Sequence, residues 1–191
     1  RTGLTCNSWF GKFHLEMHWW HCVHFALWGR IDKMIPSLAP LPSQDGLYVT
    51  TQNRLDTWDD EQLWRDHPSF LCALGVLPGD GVDHAIMRAT LRKTHDAWNW
   101  EGAWGWDFPV AAMCTARLGE GERAIDLLLM DVTKNRYLTN GHNYQAPRLP
   151  IYLPGNGDLL TTIAMMANGW DEREEPTAFP DGWVVRHEGL Q

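Results

Sequence analysis

The stretch 13–25 combines carboxylate, imidazole and indole side chains within a short distance. Its apolar spacing predicts a helix that ends near Trp28, and this helix would place Glu16 and Trp20 on one stripe and His14 and His18 on another. Polar groups can bind the hydroxyls of a sugar, flat aromatic rings can cover its apolar face, and a carboxylate can move protons. These residue types therefore indicate a saccharide site in which Glu16 is a catalytic carboxylate.

Two other interpretations of this stretch stay open. Aromatic residues at helical spacing are commonly core residues, and the helix dipole favours a Glu in the first turn without any catalytic role. His14 and His18 stand four positions apart, as metal ligands on a helix can. The zinc-protease order needs a Glu directly after the first His, however, whereas Leu15 follows His14 here. We therefore predict no metal site and no cofactor.

A second group of carboxylate and indole side chains lies in the predicted loop 99–107. Glu101 is a candidate proton carrier there, and its alternative is a solvated loop charge. Asp107 lies at the predicted start of a helix, where it could either cap the helix or serve the site. Trp104 and Trp106 flank Gly105 and could form aromatic walls.

The predicted loop 133–157 is dense in neutral hydrogen-bonding groups, particularly at 140–145, and amides can both donate to hydroxyls and accept from them. An ordinary Asn-Gly turn is the alternative. The predicted catalytic residues are Glu16, Glu101 and Asp107. The predicted substrate-binding residues are Trp9, His18, Trp19, Trp20, Trp104, Trp106, His142, Asn143, Tyr144 and Asn156.

Composition limits the class of protein. The chain has 191 residues, twelve of them Trp, with a net charge of −8, and contains no basic run, which argues against nucleic acid and anionic membranes as partners. We find no signal peptide and no apolar run of membrane-spanning length. The sequence begins with Arg1 rather than Met, so localisation stays open. Cys22 and Cys114 fall in apolar helical patterns, which predicts buried free thiols.

The apolar periodicity predicts a single α-helical domain over 1–191, with a Pro- and Ser-rich connector at 31–53. Helices are predicted over 59–65, 68–77, 83–98, 108–118, 122–130 and 158–168, and Asp83 is the expected N-cap of the third. Short extended segments are expected at 47–50 and 183–185. Four loops are rich in Trp, Asn, His and carboxylate side chains, and we expect them to meet at one end of the helices. They are 9–14, 99–107, 139–145 and 152–158.

Four segments together resemble the six-hairpin glycosidases, in particular proteins akin to glycoside hydrolase family sixty-five. They are Gly11–His21, Trp104–Pro109, Asn140–Gln145 and Tyr152–Gly157. The resemblance implies an (α/α)6 barrel whose loops form a sugar-cleaving site.

The chain would supply the C-terminal part of such a toroid, with about six or seven helices. It resembles a partial or internally deleted copy with a junction near 30–31, where relatives are expected to have further helices and an acidic catalytic residue.

We therefore predict an all-α glycoside hydrolase-type domain that acts on a neutral saccharide through paired carboxylates, with its activity in question because the barrel is incomplete. Two alternatives are a non-catalytic carbohydrate-binding or remnant helical protein and a His-based metal enzyme. The sequence does not indicate the sugar, the linkage, the stereochemical outcome or the oligomeric state.

Overall fold

A computed structural model describes residues 28–29, 41–65, 67–170 and 178–189. Five α-helices dominate this part of the chain, in agreement with the predicted all-α class, and the strands form only two short hairpins. Short 3-10 helices occupy Glu61–Arg65, Ser69–Leu71 and Thr133–Asn135. The other elements, in chain order, are β1 (Ser43–Gln44), β2 (Leu47–Tyr48), α1 (Cys72–Gly75), α2 (His84–Ala97), α3 (Asp107–Arg117), α4 (Gly121–Leu128), β3 (Arg136–Tyr137), β4 (Asn143–Tyr144) and α5 (Leu153–Asn168).

Helix α3 is the central element of the fold. Every residue from Asp107 to Ala116 is buried, and α1, α4 and α5 all pack against this helix. A helix that is apolar on all sides must be surrounded by other elements, and the small residues Ala111, Ala112 and Ala116 allow close packing. Cys114 is a buried free thiol, as predicted, and burial raises its pKa. Cys22 lies outside the described residues.

Helix α2 packs against the first hairpin through buried polar contacts. The Tyr48 backbone N–H donates to Thr90 Oγ1 at 2.8 Å, and the Asp83 backbone N–H donates to the Tyr48 hydroxyl at 2.8 Å. Asp83 Oδ1 accepts hydrogen bonds from the backbone N–H groups of Ala85 and Ile86. The predicted N-cap at Asp83 is therefore confirmed, and the segment expected at 47–50 contains β2.

The second hairpin, β3–β4, and helix α5 depart from the sequence-based boundaries. The expected loop 133–157 contains an antiparallel hairpin in which Arg136 pairs with Tyr144. Helix α5 begins at Leu153 rather than at residue 158, because Pro154 occupies the first turn, where a missing N–H does no harm. Thr162 Oγ1 donates to Pro109 O at 3.2 Å and so joins α5 to the start of α3.

Other predictions have mixed outcomes. The extended segment expected at 183–185 is wrong, since these residues form no strand and Val184 is 81% exposed. The helices expected at 59–65 and 68–77 are shorter than predicted and partly 3-10. The helix that carries Glu16, and most of the connector 31–53, lie outside the described residues. No helix among the described residues is long and apolar enough to cross a membrane.

Candidate functional site

Asp107 is the first residue of α3, and its side chain is buried at the end of the helix. Its Oδ2 accepts a hydrogen bond from the Trp104 backbone N–H at 2.6 Å, and its Oδ1 lies 2.8 Å from His67 Nδ1. Of the two roles predicted for Asp107, the capping role is wrong, because Trp106 occupies the N-cap position and no side chain caps the helix. Asp107 instead connects the preceding loop to His67.

His67 connects Asp107 to the indole of Trp106. The Trp106 Nε1 atom lies 2.7 Å from His67 Nδ1, the same atom that faces Asp107, and the two rings meet edge to face. A carboxylate oxygen and an unprotonated Nδ1 would repel each other at 2.8 Å, so one proton lies between them. The indole N–H can only donate, so it bonds to Nδ1 at full strength only when that nitrogen carries no proton. The position of this proton therefore decides whether His67 Nδ1 donates to Asp107 or accepts from Asp107 and from the Trp106 indole.

Asp158 is the second buried carboxyl group near this end of α3. It lies in the second turn of α5, on the buried stripe that also contains Thr162 and Met166. Its Oδ2 is buried without a hydrogen-bond partner among the described residues. Burial, and secondly the negative charge of Asp107, raise the pKa of Asp158 to about 7. Near neutral pH this side chain can therefore hold a proton that an ordinary Asp would have lost.

Tyr137 lies beside Asp158 and joins the second hairpin to the same region. Its hydroxyl donates to Gly155 O, in the first turn of α5, at 3.1 Å. Burial raises the pKa of Tyr137 to about 12, and the nearby Asp158 contributes to this shift. Tyr137 therefore stays a neutral hydrogen-bond donor across the physiological pH range.

Three of the four loops that were expected to meet do so. The Gly105 backbone N–H donates to Gln145 Oε1 at 3.1 Å, and the Asn143 backbone N–H donates to Asn156 Oδ1 at 2.9 Å. These contacts join the segments 99–107, 139–145 and 152–158. A side chain at Gly105 would overlap Asn143 Oδ1, so glycine permits this close approach. The fourth segment, 9–14, lies outside the described residues.

Trp104 lies among other rings and a cation next to Asp107. The Trp104 ring lies 5.6 Å from Tyr152 and 6.4 Å from His67, and Lys134 Nζ lies 4.7 Å from the Trp104 ring centre. A small cavity of about 10 Å³ adjoins Asp107 and is lined by His67, Pro68, Ser69, Cys72, Trp106 and Val110. This volume is room for about one water molecule and is far below the usual range of ligand pockets, about 300–1,000 Å³.

The predicted site residues fall into three groups. Trp104, Trp106 and Asp107 lie together around His67, whereas Glu101 is exposed in the preceding turn and takes no part in these contacts. The residues outside the described part of the chain are Trp9, Glu16, His18, Trp19 and Trp20.

The third group lies in the segment 133–157, which was predicted as a loop. Asn143 is fully buried, and its amide donates to Lys134 O and Arg136 O, so it organises the loops. Asn156 donates to Gly141 O at 2.7 Å. His142 and Tyr144 are half-buried at the hairpin.

Sequence reasoning missed His67 and Asp158. The sequence around His67 gave no sign of a functional role, because its partner Asp107 is distant along the chain. Asp158 had a detectable signal, since it shares a helical stripe with Thr162 and Met166 even within the predicted helix 158–168. A carboxylate on a buried stripe is unusual unless it is paired or functional.

The described residues contain no group of three His, Cys, Asp or Glu side chains that could hold a metal ion. His14 and His18, on which the metal hypothesis depended, lie outside that part of the chain.

In comparisons with known proteins, the chain matches no family model, no curated protein and no solved structure.

Proposed function

We propose that this protein is a glycoside hydrolase-type domain of the (α/α)6 kind that cleaves a saccharide through Asp107 and Asp158. The observation that carries the proposal is this pair of buried carboxyl groups in unlike environments. Asp107 accepts a backbone hydrogen bond, which suits an ionised carboxylate, whereas burial and the charge of Asp107 raise the pKa of Asp158 to about 7. Pairs of acids whose surroundings separate their proton affinities are typical of acid–base catalysis.

The two groups would have different roles in hydrolysis. Asp158 donates its proton to the glycosidic oxygen as the bond from that oxygen to the sugar carbon breaks. Asp107, in its ionised form, accepts a proton from the attacking water or attacks the sugar carbon itself, depending on the separation of the two carboxyl groups. Trp104 and Tyr152 supply aromatic surface for the sugar ring.

The proposal changes the set of catalytic residues predicted from the sequence. Asp158 replaces the exposed Glu101 as the second carboxyl group, and Asp107 is kept. Glu16 stays a prediction from the sequence, as do the aromatic residues near it.

The test is a turnover assay of the purified chain with a panel of aryl glycosides and disaccharides. We expect Asp158→Asn and Asp107→Asn each to lower turnover at least about 100-fold, because each removes one proton-transfer group while keeping the side-chain shape. Asp126→Asn is the matched control, since Asp126 is exposed on α4. Circular dichroism of each variant checks that the fold is retained.

The pH dependence provides an independent check. The proton donor must be protonated, so the turnover number should fall as the pH rises through about 7, the pKa of Asp158. Activity that is unchanged in folded Asp158→Asn would contradict the proposal. Saccharide binding without turnover in the wild-type chain would support the alternative of a non-catalytic carbohydrate-binding protein.

A further inference from the structure

Lys134 has a fixed backbone beside the proposed site. Its carbonyl oxygen accepts hydrogen bonds from Asn143 Nδ2 at 3.1 Å and from Gln145 Nε2 at 3.0 Å. The neighbouring Asn135 donates to the carbonyls of Leu127, Leu128 and Met130. Two buried amides and this adjacent anchor hold the turn in place, so the direction in which the Lys134 side chain leaves the backbone is set before any ligand binds.

The ammonium group of Lys134 lies against the proposed aromatic wall. Its Nζ lies 4.7 Å from the centre of the Trp104 ring and donates to Gly102 O at 3.3 Å. An ammonium group has three N–H donors, and one carbonyl oxygen uses only one of them. The side chain is half-buried, and no carboxylate within the described ranges forms an ion pair with it.

Lys134 thus has no acidic partner within the described ranges, although the chain has a net charge of −8. Within the described ranges, Arg54 pairs with Asp56 and Asp60, and Arg88 and Arg123 pair with Glu120. Among the described residues, the ammonium group of Lys134 instead contacts a ring face and one carbonyl group.

Trp104 relates this cation to the carboxyl pair. Its backbone N–H donates to Asp107, while its ring lies under Lys134 and beside Tyr152. A saccharide that binds beside Trp104 and reaches Asp107 would therefore have an ammonium group at its edge.

We infer that Lys134 binds an anionic substituent of the saccharide, so that the preferred substrate is an acidic sugar such as a uronic acid rather than the neutral saccharide expected from the sequence. This inference rests on the proposed function. The anionic group would accept the N–H donors that Gly102 O leaves available, and charge-assisted hydrogen bonds of this kind are stronger than neutral ones. The carboxyl pair cleaves the bond, and Lys134 selects the substrate.

The test compares pairs of methyl glycosides that differ only in the charged group, such as methyl glucuronide with methyl glucoside and methyl galacturonide with methyl galactoside. Affinities are measured by calorimetry and by the change in Trp fluorescence. For the wild-type chain we expect the acidic member of one pair to bind about tenfold more tightly than the neutral one. Lys134→Met should remove this preference while leaving the affinity for the neutral sugar nearly unchanged.

Two further variants make the result specific. Lys93→Met removes the other described lysine that lies over an indole, at 6.0 Å from Trp64, and should leave the preference intact. Lys134→Arg keeps the charge and should retain most of the preference. Added salt should weaken binding of the acidic sugar more than binding of the neutral one.

The contrary outcomes separate this inference from the proposed function. Equal affinities for both members of every pair would overturn the inference and leave glycoside hydrolysis standing. An equal loss of affinity for acidic and neutral sugars in Lys134→Met would also overturn it, because Lys134 would then only support the Trp104 ring. Absence of binding and turnover with every sugar would overturn both.

Discussion

Helix α3 has charged side chains at both ends, and the two groups differ in burial and in pairing. At its N-terminal end, Asp107 is buried near Asp158, and Asp158 Oδ2 has no hydrogen-bond partner among the described residues. Just beyond its C-terminal end, Glu120 lies among Arg88, Arg92 and Arg123, which are all partly or largely exposed. The first group therefore contains two acids in a dry environment, and the second contains neutralised charges near water.

The difference shows what each end contributes. Arginines at the C-terminal end face the negative end of the helix dipole, and Arg88 also donates to Leu118 O at 2.9 Å, so the charges there favour folding. A buried carboxyl group without a full set of partners costs free energy of folding. Such a cost is expected at a functional site, where the chemistry requires an acid that keeps its proton.

The largest effect is expected from Gly105→Ala, which tests how tightly the N-terminal end is packed. A methyl group at this position would overlap Asn143 Oδ1 and crowd Gln145 Nε2, and both of these side chains are buried. We expect the free energy of unfolding, measured in urea, to fall by at least about 3 kcal/mol.

Gly157→Ala is the control for this variant. Nothing lies within 4 Å of an added methyl group at Gly157, which is within α5, so alanine should be neutral or stabilise by about 0.5–1 kcal/mol. If Gly105→Ala were as stable as the wild type, the loops would not be packed as tightly as the contacts indicate.

The second prediction concerns the pH dependence of stability. The pKa of Asp158 is about 7 in the folded chain, against 3.8 for an ordinary Asp, so the folded state binds more protons between these values. Wild-type stability should therefore decrease as the pH rises from about 4 to about 7. Asp158→Asn cannot ionise, so already at about pH 5.5 it should exceed the wild type in free energy of unfolding by about 2 kcal/mol.

Thermal or urea unfolding across this pH range measures the effect. The two proteins should be about equally stable near pH 4, where Asp158 is protonated in both the folded and the unfolded wild type. Asp126→Asn should follow the wild-type curve. Parallel curves for the wild type and Asp158→Asn would mean that Asp158 has an ordinary proton affinity, and the contrast between the two ends of α3 would lose its main support.

Contacts between residues that are close along the chain could be predicted from the sequence, whereas contacts between distant residues could not. The Asp83 cap was predictable because its donors, Ala85 and Ile86, are two and three residues away. The indoles near Asp107 marked it as a candidate site residue, but its partner His67 was missed, because His67 is forty residues distant along the chain.

The start of α5 shows a second limit. Pro154 and the glycines near it suggested a loop, since both residue types often interrupt helices. Tertiary packing against α3 overrides that preference, and Asp158 lies buried in the second turn of α5 rather than at its first residue. Helices at 83–98, 108–118 and 122–130 were located to within a few residues, because their apolar periodicity is strong.

The third prediction tests the C-terminal end. Glu120→Gln removes the one carboxylate among three guanidinium groups, which then repel one another. Because these groups are partly solvated, we expect a loss of about 1–2 kcal/mol in free energy of unfolding, and the loss should shrink at high salt. A loss above about 3 kcal/mol that does not respond to salt would show that Glu120 is as poorly solvated as the acids at the other end.

The smallest effect is expected from Arg92→Ala. The Arg92 side chain is 58% exposed, and its guanidinium lies 3.6 Å from Glu120, so the pair is weak and costs less than about 0.5 kcal/mol when removed. Arg88→Ala should cost more in the same urea titration, because Arg88 is less exposed and also donates to Leu118 O. Equal losses would mean that Glu120 is held by its overall surroundings rather than by Arg88. In that case the charges at the C-terminal end of α3 would not be stabilised by individual ion pairs, and the comparison with the buried acids at the N-terminal end would lose one side.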